Sequence, residues 1–90
     1  MNKGSEKMFS SINLYTRSGI NYSLSNKFKN IPIFITKLKN NNMSLKDLEK
    51  FLNDFSLYNE KWNIIENYSN EITFKSIDCF KNIHYLVLTK

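Results

Sequence analysis

The sequence predicts a small α+β domain: an N-terminal β-hairpin plus a third strand, a central helix or helix pair, and a C-terminal β-hairpin, joined in an antiparallel sheet. Two stretches, residues 8–25 and 71–89, alternate apolar and polar side chains on either side of a short loop, as half-buried hairpins do. Between them a stripe of apolar residues at helical spacing begins just after Ser44. A chain of 90 residues holds one core, so these elements form a single domain over 8–90, preceded by a flexible polar tail at 1–7.

The register of the first hairpin is set by its loop. A two-residue turn at Ser18-Gly19 would set Ile12 and Leu14 against serines. A three-residue loop, Arg17-Ser18-Gly19, instead pairs Thr16 with Ile20, Leu14 with Tyr22 and Ile12 with Leu24 on one face. Gly19 then takes the position that needs a positive φ. Arg17 stands at the tip, and Tyr15 is the clear aromatic ring of the outer face.

Residues Ile31–Leu38 read as the third strand, with Ile31, Ile33 and Ile35 bracketed by Lys27, Lys29, Lys37 and Lys39 on one face. Pro32 lacks a ladder donor, so the strand is expected at an edge or to begin there. Flanking lysines would protect such an edge from pairing with another chain.

Ser44 is a helix N-cap, with Asp47 in the first turn and Met43 spaced to pack on Leu48. Leu45, Leu48, Phe51, Leu52 and Phe55 form the apolar stripe. The spacing continues through Tyr58, Trp62 and Ile65, but one helix over 44–68 would run about 37 Å. That overhangs a globule whose diameter is roughly 31 Å. A break near Ser56–Asn59 giving two helices is the preferred reading, and a helix followed by a strand over Trp62–Tyr68 is the alternative.

The C-terminal hairpin joins Glu71–Ile77 to Ile83–Thr89 through Asp78–Asn82. Ile72 faces Leu88 and Phe74 faces Leu86 on the core side, with Ser76 opposite His84 beside Leu86, while on the reverse face Thr73 meets Val87 and Lys75 meets Tyr85. Leu86-Val87-Leu88 is apolar on both sides, as an interior strand is.

Composition narrows the function. No 18-residue apolar run and no leader-like apolar segment is present, so an intracellular protein without membrane contacts is expected. Cys79 is the single cysteine, which leaves no internal disulfide or CxxC pair. Two glycines, at 4 and 19, cannot build a phosphate-binding loop or a dinucleotide fingerprint. No cofactor and no metal site is read from the chain. His84 with Ser76 and Asp78 is the one arrangement a small enzyme could use, and Cys79 beside Lys81 the one thiol; the plain reading is a rim histidine and a loop cysteine.

The net charge of +5 is one-sided: residues 1–39 carry seven bases and one acid, residues 40–90 six bases and seven acids. Arg17, Lys27, Lys29, Lys37 and Lys39, interleaved with Tyr15, are therefore candidates for contact with a nucleic acid or an acidic protein. With one arginine, nucleic-acid binding would be electrostatic and weakly sequence-specific. Tyr58 and Trp62 are the candidates for an aromatic docking surface, with a core position for Trp62 as its bland alternative. The leading expectation is a noncatalytic protein-binding or inhibitory protein, with a homodimer as a further option. Its size and its richness in Asn, Ile and Lys suit a phage or mobile-element regulator by analogy.

Overall fold

The first chain reversal turns on Gly19, at φ 90°, in the computed structural model, which describes residues 9–40 and 43–90. The predicted tail at 1–7 and the Asn41-Asn42 part of the central connection lie outside the described residues. Strand β1, Ser11–Thr16, meets β2, Asn21–Tyr22, with Leu14 opposite Tyr22, and the Thr16 N–H donates to Ile20 O at 2.8 Å. This is the three-residue loop expected. The pairing stops sooner than expected, because Ser23 caps a 3₁₀ turn over Leu24–Asn26 by accepting from the Ser25 N–H. Leu24 therefore never faces Ile12, which pairs with Leu88 on the other side of β1.

The expected third strand is a helix, α1, Ile31–Lys39. Pro32 sits in its first turn, where a missing N–H leaves no bond unmade and the fixed φ suits the helix. Asn30, in the left-handed region at φ 53°, turns the chain into it. Ile31, Phe34, Ile35 and Leu38 share the i, i+3, i+4, i+7 face, and Phe34 and Leu38 are wholly enclosed. That burial outweighs the strand preference of three β-branched isoleucines, and Ile33 is left pointing outward.

Helix α2, Leu45–Phe55, starts as expected, with Ser44 Oγ accepting from the Asp47 N–H at 3.2 Å. It ends at Ser56, whose backbone is extended, and a 3₁₀ turn over Leu57–Asn59 comes next, with Tyr58 and Asn59 at positive φ. Backbone bonds from Lys29 N to Phe55 O and from Leu57 N to Lys27 O tie this bend to the entry of α1. The break thus falls where expected, but the chain beyond it does not form a second helix. It forms β3, Asn63–Asn67, the alternative reading.

Strand β4, Glu71–Ile77, and β5, Ile83–Thr89, pair in the predicted register throughout, including Ile72 with Leu88, Phe74 with Leu86 and Ser76 with His84. The sheet is antiparallel in the order β2-β1-β5-β4-β3, so Leu86-Val87-Leu88 is on its central strand. Both helices cover the face bearing Leu14, Ile72, Phe74, Leu86 and Leu88. The rings of Trp62, Phe28, Phe34 and Phe51 succeed one another through this layer at centroid spacings of 5.2, 4.4 and 5.5 Å. The N–H groups of Trp62 and Ile64 donate to Asn53 Oδ1 and Glu49 Oε2 on α2, at 2.7 and 3.0 Å. Side chains one helical turn apart thereby occupy the outer edge of β3 at its start.

Candidate functional site

Three connections meet at one end of the sheet: the Arg17–Gly19 tip, the Asp78–Asn82 loop and the segment from Leu57 to Lys61. The first two are joined by the Arg17 N–H donating to Ile83 O at 3.0 Å. Beneath the other two lies a polar cluster. Lys27 Nζ donates to Glu60 Oε2 at 3.1 Å and stands 4.0 Å from Asp78 Oδ2, and His84 Nε2 donates to the same Asp78 oxygen at 2.9 Å. All four side chains are at least nine-tenths enclosed.

Asp78 organises the loop. Its Oδ1 accepts from the Phe80 and Asn82 N–H groups, both at 2.9 Å, which closes a tight turn with Lys81 at φ 70°. The hydrogen bond from His84 holds the Asp78 carboxyl below its ordinary value of 3.8; burial works the other way, and the Asn82 and Phe80 N–H groups add to the lowering. Among the described residues, His84 Nδ1, Ser76 Oγ and Glu60 Oε1 are buried without a hydrogen-bond partner. The Ser76–His84 bond that a hydroxyl nucleophile needs is therefore not formed, and the hydroxyl is closed off from solvent. Cys79 is exposed, and no group of three or more metal-ligating side chains occurs among the described residues.

The surface over this cluster is apolar. Tyr58 is 78% exposed and Phe80 80% exposed, and both line a pocket of about 330 Å³ with Lys27, Glu60, Asp78 and Cys79. Next to it a cleft of about 560 Å³ runs past Ile65 and Ile77, both about half exposed, with Lys61 and Lys75 along it. Tyr58 owes its outward position to its left-handed backbone, and Phe80 to the Asp78 turn.

The sequence-predicted residues are distributed differently from the expectation. Lys27 is no free cation but the buried partner of Glu60, and Trp62 has no exposed surface and belongs to the core. Arg17 is exposed at its hairpin tip, where it lines a shallow cleft with Lys81. Lys29 precedes α1, whereas Lys37 and Lys39 occupy its last turn. Helical geometry puts Lys37 and Lys39 about 200° apart around the axis, so the lysine-flanked strip does not exist. Tyr15 lies on the sheet face away from the helices, as expected, opposite Tyr85 at 5.7 Å between ring centroids. Its hydroxyl titrates above the usual 10.0 through burial and the nearby charges of Glu71, Tyr85 and Glu66. Phe80, Glu60 and Lys61 were not singled out by the sequence; a phenylalanine inside a predicted five-residue loop was the available signal.

No known family model, curated protein or solved structure matches the chain. Among the described residues no helix is long and apolar enough to cross a membrane.

Proposed function

We propose that this is a noncatalytic protein-binding domain, acting by occupancy, whose docking surface is the loop end around Tyr58 and Phe80. The observation that carries the reading is the exposure of these two residues, about four-fifths each, where both line one pocket. Burying them against a partner would supply the aromatic contacts that dominate interface energies. The half-exposed Ile65 and Ile77 extend the apolar patch, and exposed Lys61 and Lys81 supply a polar rim. The two acids of this end, Glu60 and Asp78, are turned inward onto Lys27 and His84 and hold the loops in place. A nucleic-acid reading is less well supported: the aromatic pair Tyr15 and Tyr85 on the sheet face away from the helices has Glu66 and Glu71 beside it.

The test is affinity capture from the source cells, with and without nuclease, by the natural protein and by a Tyr58→Ala/Phe80→Ala variant. Capture of a protein that resists nuclease and is lost in the folded variant is expected, each ring contributing about 2 kcal/mol. Capture that needs nucleic acid, or that survives the double substitution, overturns the reading.

A further inference from the structure

The Asp78–Asn82 loop has a second side. Phe80 lines the pocket next to Tyr58, whereas Lys81 and Asn82 line the cleft of about 590 Å³ between this loop and the hairpin tip, with Thr16, Arg17, Ser18 and Ile20 across from them. Arg17 and Lys81 give the cleft two formal positive charges, and no acid is among its lining residues. The ion pairs among the described residues involve Lys27, Lys50 and His84, so neither Arg17 nor Lys81 has a carboxylate within 4.0 Å there. The acid of the loop itself is committed elsewhere: Asp78 Oδ1 accepts from the Phe80 and Asn82 N–H groups and Oδ2 meets His84. Two cations are thus set in one cleft without a counter-charge from the fold.

Their backbones are fixed with respect to one another. The Arg17 N–H donates to Ile83 O at 3.0 Å, and the Lys81 N–H donates to Asp78 O at 3.0 Å within the closed loop. A site whose backbone is already ordered loses less entropy when a ligand binds. The hydroxyls add a donor. Thr16 Oγ1 accepts from the Ile20 N–H at 3.1 Å and lies 3.1 Å from Ser18 Oγ. One hydroxyl hydrogen is used between the two side chains, so whichever of them donates, the other's O–H is left to meet a ligand oxygen. A guanidinium presents a planar fork that matches the two oxygens of a carboxylate, and an ammonium adds a point charge. Ile20, 59% exposed, gives the same cleft an apolar wall for the methylene stem that carries such a carboxylate. A phosphate backbone needs cations in succession. Lys37 and Lys39 belong instead to the last turn of α1, and Glu66 and Glu71 stand near Tyr15.

We infer that this cleft receives an acidic side chain of the protein partner, an aspartate or glutamate, whose oxygens are held by Arg17 and Lys81; this rests on the protein-binding reading and adds the chemistry of a second anchor beside the aromatic one.

The experiment is a titration of the ¹⁵N-labelled protein, followed by amide chemical shifts, with the peptide acetyl-Glu-Leu-Glu-Leu-amide, its Gln-Leu-Gln-Leu counterpart and a short oligothymidylate. Saturable shifts at Arg17, Ser18, Lys81 and Asn82 with the acidic peptide, absent with the glutamine peptide and weakened by added salt, are expected. Arg17→Gln and Lys81→Gln, both at exposed positions, should each weaken that binding roughly fivefold at an unchanged unfolding temperature. Equal binding of the glutamine peptide, tighter binding of the oligothymidylate, acidic-peptide binding that both variants retain, or no shift at the solubility limit overturns the inference. If it is overturned while Tyr58→Ala/Phe80→Ala still loses the captured protein, the protein-binding reading stands without it. If that variant keeps its partner, the reading falls and takes the partner's acidic anchor with it, whatever the peptides do.

Discussion

Trp62 has no exposed surface and stands beside Phe28 in the aromatic layer between helices and sheet. Truncation to alanine would open a cavity the size of an indole, and Trp62→Ala should lower stability by about 3–5 kcal/mol in urea unfolding. Asp78 makes a prediction with a sign. Its carboxyl is held below 3.8 in the folded protein, so it binds its proton less readily folded than unfolded. Its contribution is then fully present above that value and is lost as the pH falls below it. Asp78→Asn should be less stable than the natural protein near neutrality, and the gap should close as the pH is lowered through the acid range, measured by denaturant unfolding at a series of pH values. A gap independent of pH would count against the His84–Asp78 bond as its source. Lys27 shows why charge alone did not reveal this site: a lysine in a basic half reads as solvated, and only the return of Glu60 and Asp78 from distant segments encloses it.

At the scale of elements, the start of β3 depends on α2 as much as on β4. Asn53 and Glu49 satisfy the outward N–H groups of Trp62 and Ile64. Asn53→Ala should leave the Trp62 N–H unpaired, costing about 1–2 kcal/mol, and should speed hydrogen exchange at Trp62 more than at the β4–β5 pairs. The C-terminal hairpin was legible residue by residue because strict alternation over seven residues per strand fixes both face and register. The stretch Ile31–Leu38 was not, because its isoleucines at every second position mimic a strand while Ile31, Phe34, Ile35 and Leu38 equally describe a helical face. Pro32 fits the first turn of a helix and the start of a strand, and the tertiary gain from enclosing Phe34 and Leu38 made the choice. The segment after Ser56 was ambiguous for a similar reason: Tyr58, Trp62 and Ile65 keep helical spacing, yet Tyr58 and Asn59 adopt positive φ and end the helix. Neither residue is a glycine, so no breaker marked the place.

Across the described residues, the bases of the first half of the chain are not gathered on one strand. Lys37 and Lys39 close α1 while Lys29 precedes it, and Arg17 and Lys81 from opposite halves of the chain share one cleft at the loop end. What the fold assembles instead is an end with enclosed acids and exposed rings, Tyr58 and Phe80, over a buried ion-pair cluster. Tyr58 is a docking candidate already in the sequence, from its place after the Ser44-capped helix, and the fold leaves it exposed. Phe80 was not, since a loop aromatic can pack inward or outward, and the Asp78 turn decides which. The most direct measurement of the central claim is the affinity of the captured partner for the natural protein and for Tyr58→Ala/Phe80→Ala, by titration calorimetry alongside thermal unfolding of both. Affinity falling by roughly a thousandfold, about 2 kcal/mol for each ring, at an unchanged unfolding temperature is the result expected of paired aromatic hot spots. Equal affinity of the two folded proteins would contradict the account.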